Sequence, residues 1–271
     1  MAGSPDAQDL AARVAALDWY HSFDLPGGVA TPGLFNHRDV VKKLPLPVSL
    51  AGKRCLDVAS SDGFWAFEMA RRGAAEVISV DLPDATQQDY SGPPRPDEPG
   101  RDQGSGRANQ AFQIVKEATG LEVQRIDGSV YDLDQMGLGD FDFVFMGNIL
   151  LHLRDPILAL QQVRSVTAGE FFSYEAISLP QTILRPLSPT GQFALGDENR
   201  FWTPNMRGHR RLVEAGGFEI TAAGGPLLQK FGPFWPRWPT SRPRSLHEVT
   251  YWMFTRQFGA ATAWVRSRPR V

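Results

Sequence analysis

The amino-acid sequence predicts an α/β fold, in which a doubly wound and mostly parallel sheet of seven strands carries helices on both faces. Three observations predict it. Short apolar runs alternate with helically spaced segments of about ten residues, which is typical of a parallel sheet. One strand runs through Asp57 into a tight turn and a helix, and the next strand ends in Asp81. The chain has 271 residues and 42% apolar content, enough to bury one large core.

The N-terminal part is predicted to lie outside the sheet. Residues 8–18 are rich in Ala and Leu at helical spacing, and residues 19–33 form a loop rich in Gly and Pro that carries aromatic side chains. We expect an N-terminal helical and loop extension that acts as a lid over residues 1–48, and a main domain over residues 49–271. Insertions into that domain are expected near residues 83–108, 178–204 and 225–258.

Strands and helices then alternate along the main domain. Strands are predicted over residues 54–59, 76–81, 122–126, 141–146, 171–177, 218–223 and 260–265. Helices are predicted over residues 63–72, 109–119, 156–166 and 205–215. Residues 226–244 contain too many prolines for a regular element, so we expect them to leave the sheet as a cap between its last two strands.

Composition excludes several classes of protein. No apolar run approaches the roughly 20 residues that span a bilayer, and the first residues lack the basic and apolar stretches of a secretory signal. The single cysteine, Cys55, excludes an internal disulfide and a multi-cysteine zinc site. We therefore expect a cytoplasmic protein with no membrane span, and the sequence indicates no particular oligomeric state.

Charge is unevenly distributed along the chain. Residues 201–271 contain 11 Lys and Arg against 3 Asp and Glu, whereas residues 1–200 contain 17 against 27. The basic third has two interpretations. It is a solvated tail on an acidic body, or it is a lobe that receives an anionic substrate such as RNA.

The first strand–turn–helix unit has the chemistry of a ligand site. A turn of small residues between a strand and a helix lets backbone N–H groups approach a ligand closely, and ligands of open α/β sheets bind at that edge. Ala59 and Ser61 stand where nucleotide-binding loops usually have glycine. By itself, the turn is also compatible with a plain connection.

Asp81 strengthens this interpretation. It ends the second strand, 24 residues after Asp57, and an acidic side chain there can accept hydrogen bonds from both hydroxyls of a ribose. The spacing suits NAD and S-adenosylmethionine alike. An aspartate at a strand end also commonly caps the next turn, and that alternative stays open.

Together these segments resemble class I S-adenosylmethionine-dependent methyltransferases, whose fold is Rossmann-like. Asp57-x-Ala59-x-Ser61-x-Gly63 is similar to their first motif, with small residues in place of two glycines, and Asp81 matches their ribose-binding acid. Residues 129–133 resemble the segment that closes over the adenine. Residues 141–148 resemble their fourth strand and the loop beneath the methyl donor.

A closer resemblance extends over nearly the whole chain. Residues 19–21, 25–33, 150–156 and 202–205 are similar to bacterial proteins grouped with the wobble-uridine tRNA carboxymethyltransferases. Those enzymes have a tyrosine before the histidine of the fourth motif, which helps to hold the extra carboxylate of their donor. Here that position is Leu151, which cannot bond a carboxylate. We therefore expect ordinary S-adenosyl-L-methionine and methyl transfer.

The resemblance implies a set of site residues. Those expected to bind the cofactor are Asp57, Ala59, Ser61, Gly63, Trp65, Asp81, Leu82, Ser129, Val130, Gly147 and Asn148. For Trp65, core packing is an equal alternative. Those expected to contact the substrate are Trp19, Asn199 and Trp202, for which turn and packing roles are the alternatives.

Two histidines are candidate general bases. His152 follows the fourth strand, near where the methyl group should point, and an ordinary imidazole pKa of about 6.5 suits the task. His21 lies on the N-terminal segment that could fold over the donor. Each could instead be a packed or carbonyl-bonded histidine. His37, His209 and His247 fit no motif, and no spacing indicates a metal site.

The sequence thus predicts a methyltransferase that acts on a small-molecule or sugar-like acceptor. Methylation or carboxymethylation of a tRNA wobble uridine is the alternative, supported by aromatic and basic residues interleaved over residues 230–244. A third hypothesis is a non-catalytic S-adenosylmethionine-binding protein, which the replacement of two glycines in the first motif permits. A dehydrogenase is disfavoured because the loop lacks the spaced glycines that admit a pyrophosphate.

Overall fold

The computed structural model describes residues 7–83, 87–89, 107–193, 200–235 and 246–270. The helices are α1 Ala7–Ala15, α2 Phe64–Arg71, α3 Arg107–Thr119, α4 Pro156–Ser165, α5 Leu179–Leu184, α6 Met206–Ala215 and α7 Leu246–Phe258. The strands are β1 Phe35–Asn36, β2 Arg54–Val58, β3 Glu76–Asp81, β4 Gln124–Asp127, β5 Phe141–Gly147, β6 Thr167–Ala176, β7 Gly191–Phe193, β8 Trp202–Pro204, β9 Phe218–Phe231 and β10 Ala260–Pro269. None of these helices is long and apolar enough to cross a membrane.

Eight strands form one sheet in the order β1-β9-β10-β6-β5-β2-β3-β4, and β7 pairs with β8 separately. The strands β4, β3, β2, β5 and β6 are parallel. Strand β10 runs antiparallel to both β6 and β9. The chain crosses from β3–β4 to β5 on the other side of β2, and this reversal of strand order makes the crevice where α/β sheets bind ligands. The predicted doubly wound fold is confirmed.

The central strands are buried on both faces because each alternates its side chains between two apolar layers. Cys55 and Phe143 face the layer that holds α1, α2 and α3. Leu56 and Val144 face the layer that holds α4 and α6. Burial on both faces explains why these strands read as continuous apolar runs in the sequence.

The N-terminal segment is packed into the first of these layers. Leu10 and Val14, one helical turn apart in α1, are almost fully buried in it, together with Phe23. Beyond α1 the chain reaches the far edge of the sheet, where β1 pairs with the end of β9. Residues 7–50 thus share the core of the main domain, and their expected role as a lid stays a prediction.

The structure corrects several predicted boundaries in the C-terminal part. Strand β9 does not end near residue 223 but continues to Phe231, because residues 227–231 still find partners on β10 and then on β1. Helix α7 occupies part of the expected insertion near 225–258. The insertion near 178–204 contains α5 and the β7–β8 pair, neither of which the pattern indicated. At the other end of the chain, α1 stops at Ala15 instead of residue 18.

Candidate functional site

The carboxyl ends of β2, β3, β4 and β5 lie side by side. Their register pairs Val58 with Val80 and Met146, and Asp81 with Asp127. The loop after β2, residues 59–63, therefore lies beside the end of β3. Most of the residues expected to bind the cofactor are gathered along this edge, which is the ligand-binding edge of open α/β sheets.

The loop after β2 has the backbone of a glycine-rich loop, with Ala59 and Ser61 in place of two glycines. Ala59 (φ 59°) and Ser61 (φ 52°) are left-handed, as is Gly63 (φ 85°). With Asn148 (φ 56°), Ala59 and Ser61 are the non-glycine residues with positive φ in the described part of the chain. At Gly63 the space also demands glycine, because a Cβ would lie 2.6 Å from the Phe112 ring. Strained backbone concentrated at one edge is typical of a functional site.

Asp81 holds this loop in place. Its carboxylate accepts hydrogen bonds from the N–H of Ser61 and from the N–H of Leu82, the latter at 2.8 Å. Arg125 supports the same loop by donating to the Ser61 carbonyl at 2.6 Å, and its guanidinium lies 4.0 Å from Asp81. Burial raises the pKa of Asp81 above its ordinary value, and Arg125 opposes that shift.

Asp57 is turned into the protein. Its side chain is buried and accepts a hydrogen bond from the N–H of Ala66 at 2.9 Å, in the first turn of α2. Burial raises the pKa of this carboxyl well above its ordinary value, while the Ala66 N–H lowers it. In the structure Asp57 fixes the start of α2, so its expected contact with a cofactor stays a prediction.

Asp62 joins the loop to the N-terminal segment. One carboxylate oxygen accepts from the N–H of Tyr20 (3.1 Å) and of His21 (2.8 Å), and the other is hydrogen-bonded to His21 Nδ1. Both His21 and Asp62 are buried. Burial and the carboxylates of Asp62 and Asp81 raise the pKa of Tyr20, so its phenol stays protonated. The structure therefore brings His21 to the loop.

Rings surround His21. Its ring centroid is 4.8 Å from that of Tyr20, 4.8 Å from that of His37 and 5.5 Å from that of Phe64. His37 is buried, and the side chain of Gln229 interacts with its ring. Burial and the nearby His21 lower the pKa of His37 well below its ordinary value, so His37 is a neutral imidazole.

The turn after β5 carries the remaining expected residues on this side. Asn148 donates from its amide to Gln229 at 3.2 Å, and its backbone N–H donates to the Tyr174 carbonyl at 2.7 Å. Glu175 accepts from the N–H of Leu150 at 3.2 Å, and burial raises the pKa of this glutamate. His152, which ends the single helical turn that follows, is partly exposed.

The segment expected to close over the adenine follows β4. Ser129 caps a short helical turn by accepting from the N–H of Tyr131 at 3.2 Å, and Val130 is buried beneath it. The Tyr131 hydroxyl donates to Asp89 at 2.6 Å, and Asp89 also accepts from the N–H of Arg154 at 2.8 Å. These bonds connect the segments that follow β3, β4 and β5.

The residues expected to contact the substrate have different surroundings in the structure. Trp19 is 0% exposed, and its indole N–H donates to the Val14 carbonyl at 2.8 Å. Trp19 is thus packed in the core, and its expected contact with the acceptor stays a prediction. Trp202 is partly exposed and donates its indole N–H to the Leu150 carbonyl at 3.0 Å, beside the turn that carries His152. Asn199 lies outside the described residues.

Trp65 supports the alternative of core packing. It is 5% exposed and stacks on Phe145, with ring centroids 4.4 Å apart. That Trp65 lines a cofactor pocket stays a prediction.

Four further polar residues of the site were not indicated by the sequence: Asp62, Arg125, Glu175 and Gln229. Asp62 lies inside the first motif at a variable position, so only its spatial partners identify it. The other three follow no motif.

Comparison with solved structures establishes the fold. No protein-family model matches the chain, and no curated protein matches it. The [4+2]-cyclase SpnF is 16% identical, with a TM-score of 0.57 over 97% of this chain and 93% of that chain. The N-terminal domain of EvdMO1 with bound SAH is 16% identical, with a TM-score of 0.56 over 98% of each chain.

A third solved structure is a methyltransferase by name. Magnesium protoporphyrin IX methyltransferase (ChlM) from Synechocystis PCC 6803, also with bound SAH, is 17% identical, with a TM-score of 0.50 over 86% of this chain and 81% of that chain. At these identities the likeness shows the fold alone. The chain has the Rossmann-like fold of class I methyltransferases.

Proposed function

We propose that the protein transfers a methyl group from S-adenosyl-L-methionine to a small-molecule acceptor. The observation that carries this proposal is the left-handed loop after β2, bonded to the Asp81 carboxylate at the end of β3. Such a loop presents backbone groups to a ligand, and a carboxylate beside it suits the two hydroxyls of a ribose. The fold adds support, since EvdMO1 and ChlM were solved with SAH bound.

The residues along this edge fit the donor. The loop residues Ala59, Ser61 and Gly63 would lie against its amino-acid part, and Asp81 with Leu82 would hold its ribose. Ser129 and Val130 would cover the adenine, and Gly147 and Asn148 would lie beneath the sulfur. When bound, the donor supplies a methyl group on a positively charged sulfur, which an acceptor atom displaces in line, so the protein contributes chiefly proximity and orientation.

The charge of the site favours a cationic ligand. The carboxyl groups of Asp62, Asp81 and Glu175 all act on Tyr20, where Arg200 opposes them, and the Arg125 guanidinium lies 4.0 Å from Asp81. A bound cation would favour the ionised form of these carboxyls. The pyrophosphate of a dinucleotide would meet repulsion instead, which supports the sulfonium donor over NAD.

The plain donor is favoured over its carboxylated form. Leu151 is apolar and 6% exposed, and an extra carboxylate buried against it would lack a hydrogen-bond donor. We propose methyl transfer to a small acceptor and a cytoplasmic location. His152 and His21 are the candidate bases. The name of SpnF, a cyclase, shows that this fold also serves other reactions, so transfer itself needs a test.

Substitution of Asp81 tests donor binding. We expect Asp81→Asn to weaken S-adenosylhomocysteine binding at least tenfold, measured by calorimetric titration, because two hydrogen bonds from ribose hydroxyls to a carboxylate contribute about 1.5–3 kcal/mol each. The matched control is Asp140→Asn, the same change at an exposed residue just before β5, at the amino-terminal ends of the strands. This variant should bind S-adenosylhomocysteine with unchanged affinity. Equal affinity in the wild type and Asp81→Asn would contradict the assignment.

A further inference from the structure

We propose that His21, oriented by Asp62, is the base that removes the proton from a hydroxyl group of the acceptor, so that the reaction is an O-methylation. This inference rests on the proposed function and adds the class of acceptor atom. It also assigns to Asp62 the role of a positioning residue, acting through His21.

The first support is how Asp62 fixes His21. The two N–H groups of Tyr20 and His21 hold one carboxylate oxygen of Asp62, and the other oxygen meets His21 Nδ1. An ionised carboxylate only accepts hydrogen bonds. Nδ1 must therefore carry the proton in neutral His21, and the lone pair is left at Nε2. This is the tautomer that a base needs.

The second support is the position of the pair. Asp62 follows the left-handed Ser61, whose N–H is bonded to Asp81. The same loop thus carries the anchor of His21 and the backbone that is proposed to hold the donor. Because one short loop holds both, the imidazole lies next to the proposed donor site, as a base in an in-line transfer requires.

The third support is the free nitrogen. Among the described residues, Nε2 of His21 makes no hydrogen bond, and the residue keeps 5% of its surface exposed. The rings of Tyr20, His37 and Phe64 leave the imidazole little freedom to turn. His37, whose ring centroid is 4.8 Å from that of His21, is a neutral imidazole.

The chemistry of the acceptor follows from the need for a base. A neutral amine attacks with its lone pair and loses its proton afterwards, whereas an alcohol is a poor nucleophile until its proton leaves. In the step, the hydroxyl proton passes to Nε2 as the oxygen bonds to the methyl carbon. The bond from that carbon to sulfur breaks, and its electron pair stays on sulfur. The resulting His21 imidazolium is paired with the Asp62 carboxylate and returns its proton to water.

Asp62→Asn tests the orientation directly. The asparagine oxygen should keep the two backbone N–H groups, which turns its NH₂ toward Nδ1 and forces the proton of neutral His21 to Nε2. We expect nitrogen NMR of the protein with S-adenosylhomocysteine to show the Nδ1–H tautomer of His21 in the wild type and the Nε2–H tautomer in Asp62→Asn. His21→Gln assigns the signal among the five histidines. An Nε2–H tautomer in the wild type would overturn the proposal without any need for an acceptor.

Transfer is then measured with defined acceptors. Methyl α-glucopyranoside and catechol offer hydroxyls, and aniline offers an amine. We expect an oxygen to be methylated, and Asp62→Asn to lower kcat about 100-fold or more with little change in KM, since general bases contribute about 10²–10⁴-fold. Methylation of aniline alone, or an unchanged kcat in Asp62→Asn and His21→Gln, would refute the proposal. If none of these acceptors reacts, the tautomer of His21 measured by NMR supports or refutes the proposal.

Calorimetry distinguishes a failure of the proposed function from a failure of the inference about His21. A wild type that fails to bind S-adenosylhomocysteine contradicts the proposed function and the inference with it. Binding with the wrong tautomer contradicts the inference alone. Because Asp62 also holds the N-terminal segment, thermal unfolding of Asp62→Asn is compared with that of His21→Gln, which retains both backbone hydrogen bonds.

Discussion

Ala59 and Ser61 have a conformation that most residues avoid. Left-handed backbone costs a non-glycine residue roughly 1–2 kcal/mol, yet both occur in one short loop. The surrounding bonds hold them there: the N–H of Ala59 donates to the Val80 carbonyl at 2.8 Å, and the N–H of Ser61 donates to Asp81. The loop keeps the shape that glycines would give, while the unfolded chain has fewer alternatives at these positions, which lowers the entropic cost of folding.

A glycine at position 59 should therefore be tolerated, whereas replacing alanine with glycine usually lowers stability. We expect Ala59→Gly to leave the free energy of unfolding unchanged or to raise it by up to about 1 kcal/mol, because relief of left-handed strain offsets the added freedom of the unfolded chain. The control is Ala11→Gly, at an exposed position inside α1, which should cost about 1 kcal/mol. Urea unfolding measures both, and equal losses would show that Ala59 is unstrained.

At the scale of elements, Asn205 connects two parts of the insertion after β6 to α6. Its Oδ1 accepts from the N–H of Gly208 (2.7 Å) and of Thr190 (3.1 Å). Its Nδ2 donates to the carbonyls of Ser188 (2.9 Å) and Arg185 (3.1 Å). Asn205 is fully buried. An amide is required here because the side chain must both accept and donate.

Asn205→Asp should separate these two roles. The aspartate keeps an acceptor for the start of α6 but directs an oxygen at two carbonyls, so we expect a loss of about 2–3 kcal/mol in the free energy of unfolding at pH 8. The carbonyls favour the protonated carboxyl, which raises its pKa in the folded state. Protonation then stabilises the folded form as the pH falls, and the loss should shrink by pH 5. Denaturant unfolding at the two pH values measures it.

The control for this change is Asn36→Asp. The Oδ1 of Asn36 accepts from the N–H of Arg38 at 3.2 Å on the partly exposed edge of the sheet. The same substitution there should change the free energy of unfolding by less than about 0.5 kcal/mol. A similar loss at both sites would mean that the hydrogen bonds donated by Asn205 contribute little.

At the scale of the whole molecule, several described bases of the C-terminal third form ion pairs within the protein. Arg266 pairs with Glu170 at 2.6 Å, Arg268 with Glu219 at 3.0 Å, and Lys230 with Asp39 at 3.0 Å. Of the aromatic side chains that follow Lys230, Phe231 and Trp235 stack with ring centroids 3.6 Å apart, while Phe234 is exposed. These contacts support a small acceptor over tRNA.

Binding of RNA should accordingly be weak. We expect bulk tRNA to bind with no better than micromolar affinity at low salt in a mobility-shift titration. A surface built for RNA would instead show steep salt dependence, with a slope of about −0.9 per neutralised phosphate on duplex regions. Sub-micromolar, salt-sensitive binding that Arg242→Ala with Arg244→Ala weakens would favour the tRNA alternative. Both arginines lie outside the described residues.

The sheet and the edge at which its parallel strands end could be predicted from local sequence pattern. Continuous apolar runs mark strands buried on both faces, and the positions of Asp57 and Asp81 at strand ends are local features that parallel pairing brings together. The boundaries differ from the prediction where strand pairing depends on distant partners. The end of β9 follows from its contacts with β10 and β1, which the sequence of residues 226–231 does not indicate.

Contacts between side chains that are distant in the sequence could not be predicted from it. Trp19 and His21 are two residues apart in the same aromatic segment, yet Trp19 is sealed in the core and His21 reaches the loop after β2. The partner that gives His21 its orientation, Asp62, lies 41 residues along the chain. Local periodicity carries no information about a contact between one loop and another, because that contact is set by how both loops pack against the finished sheet.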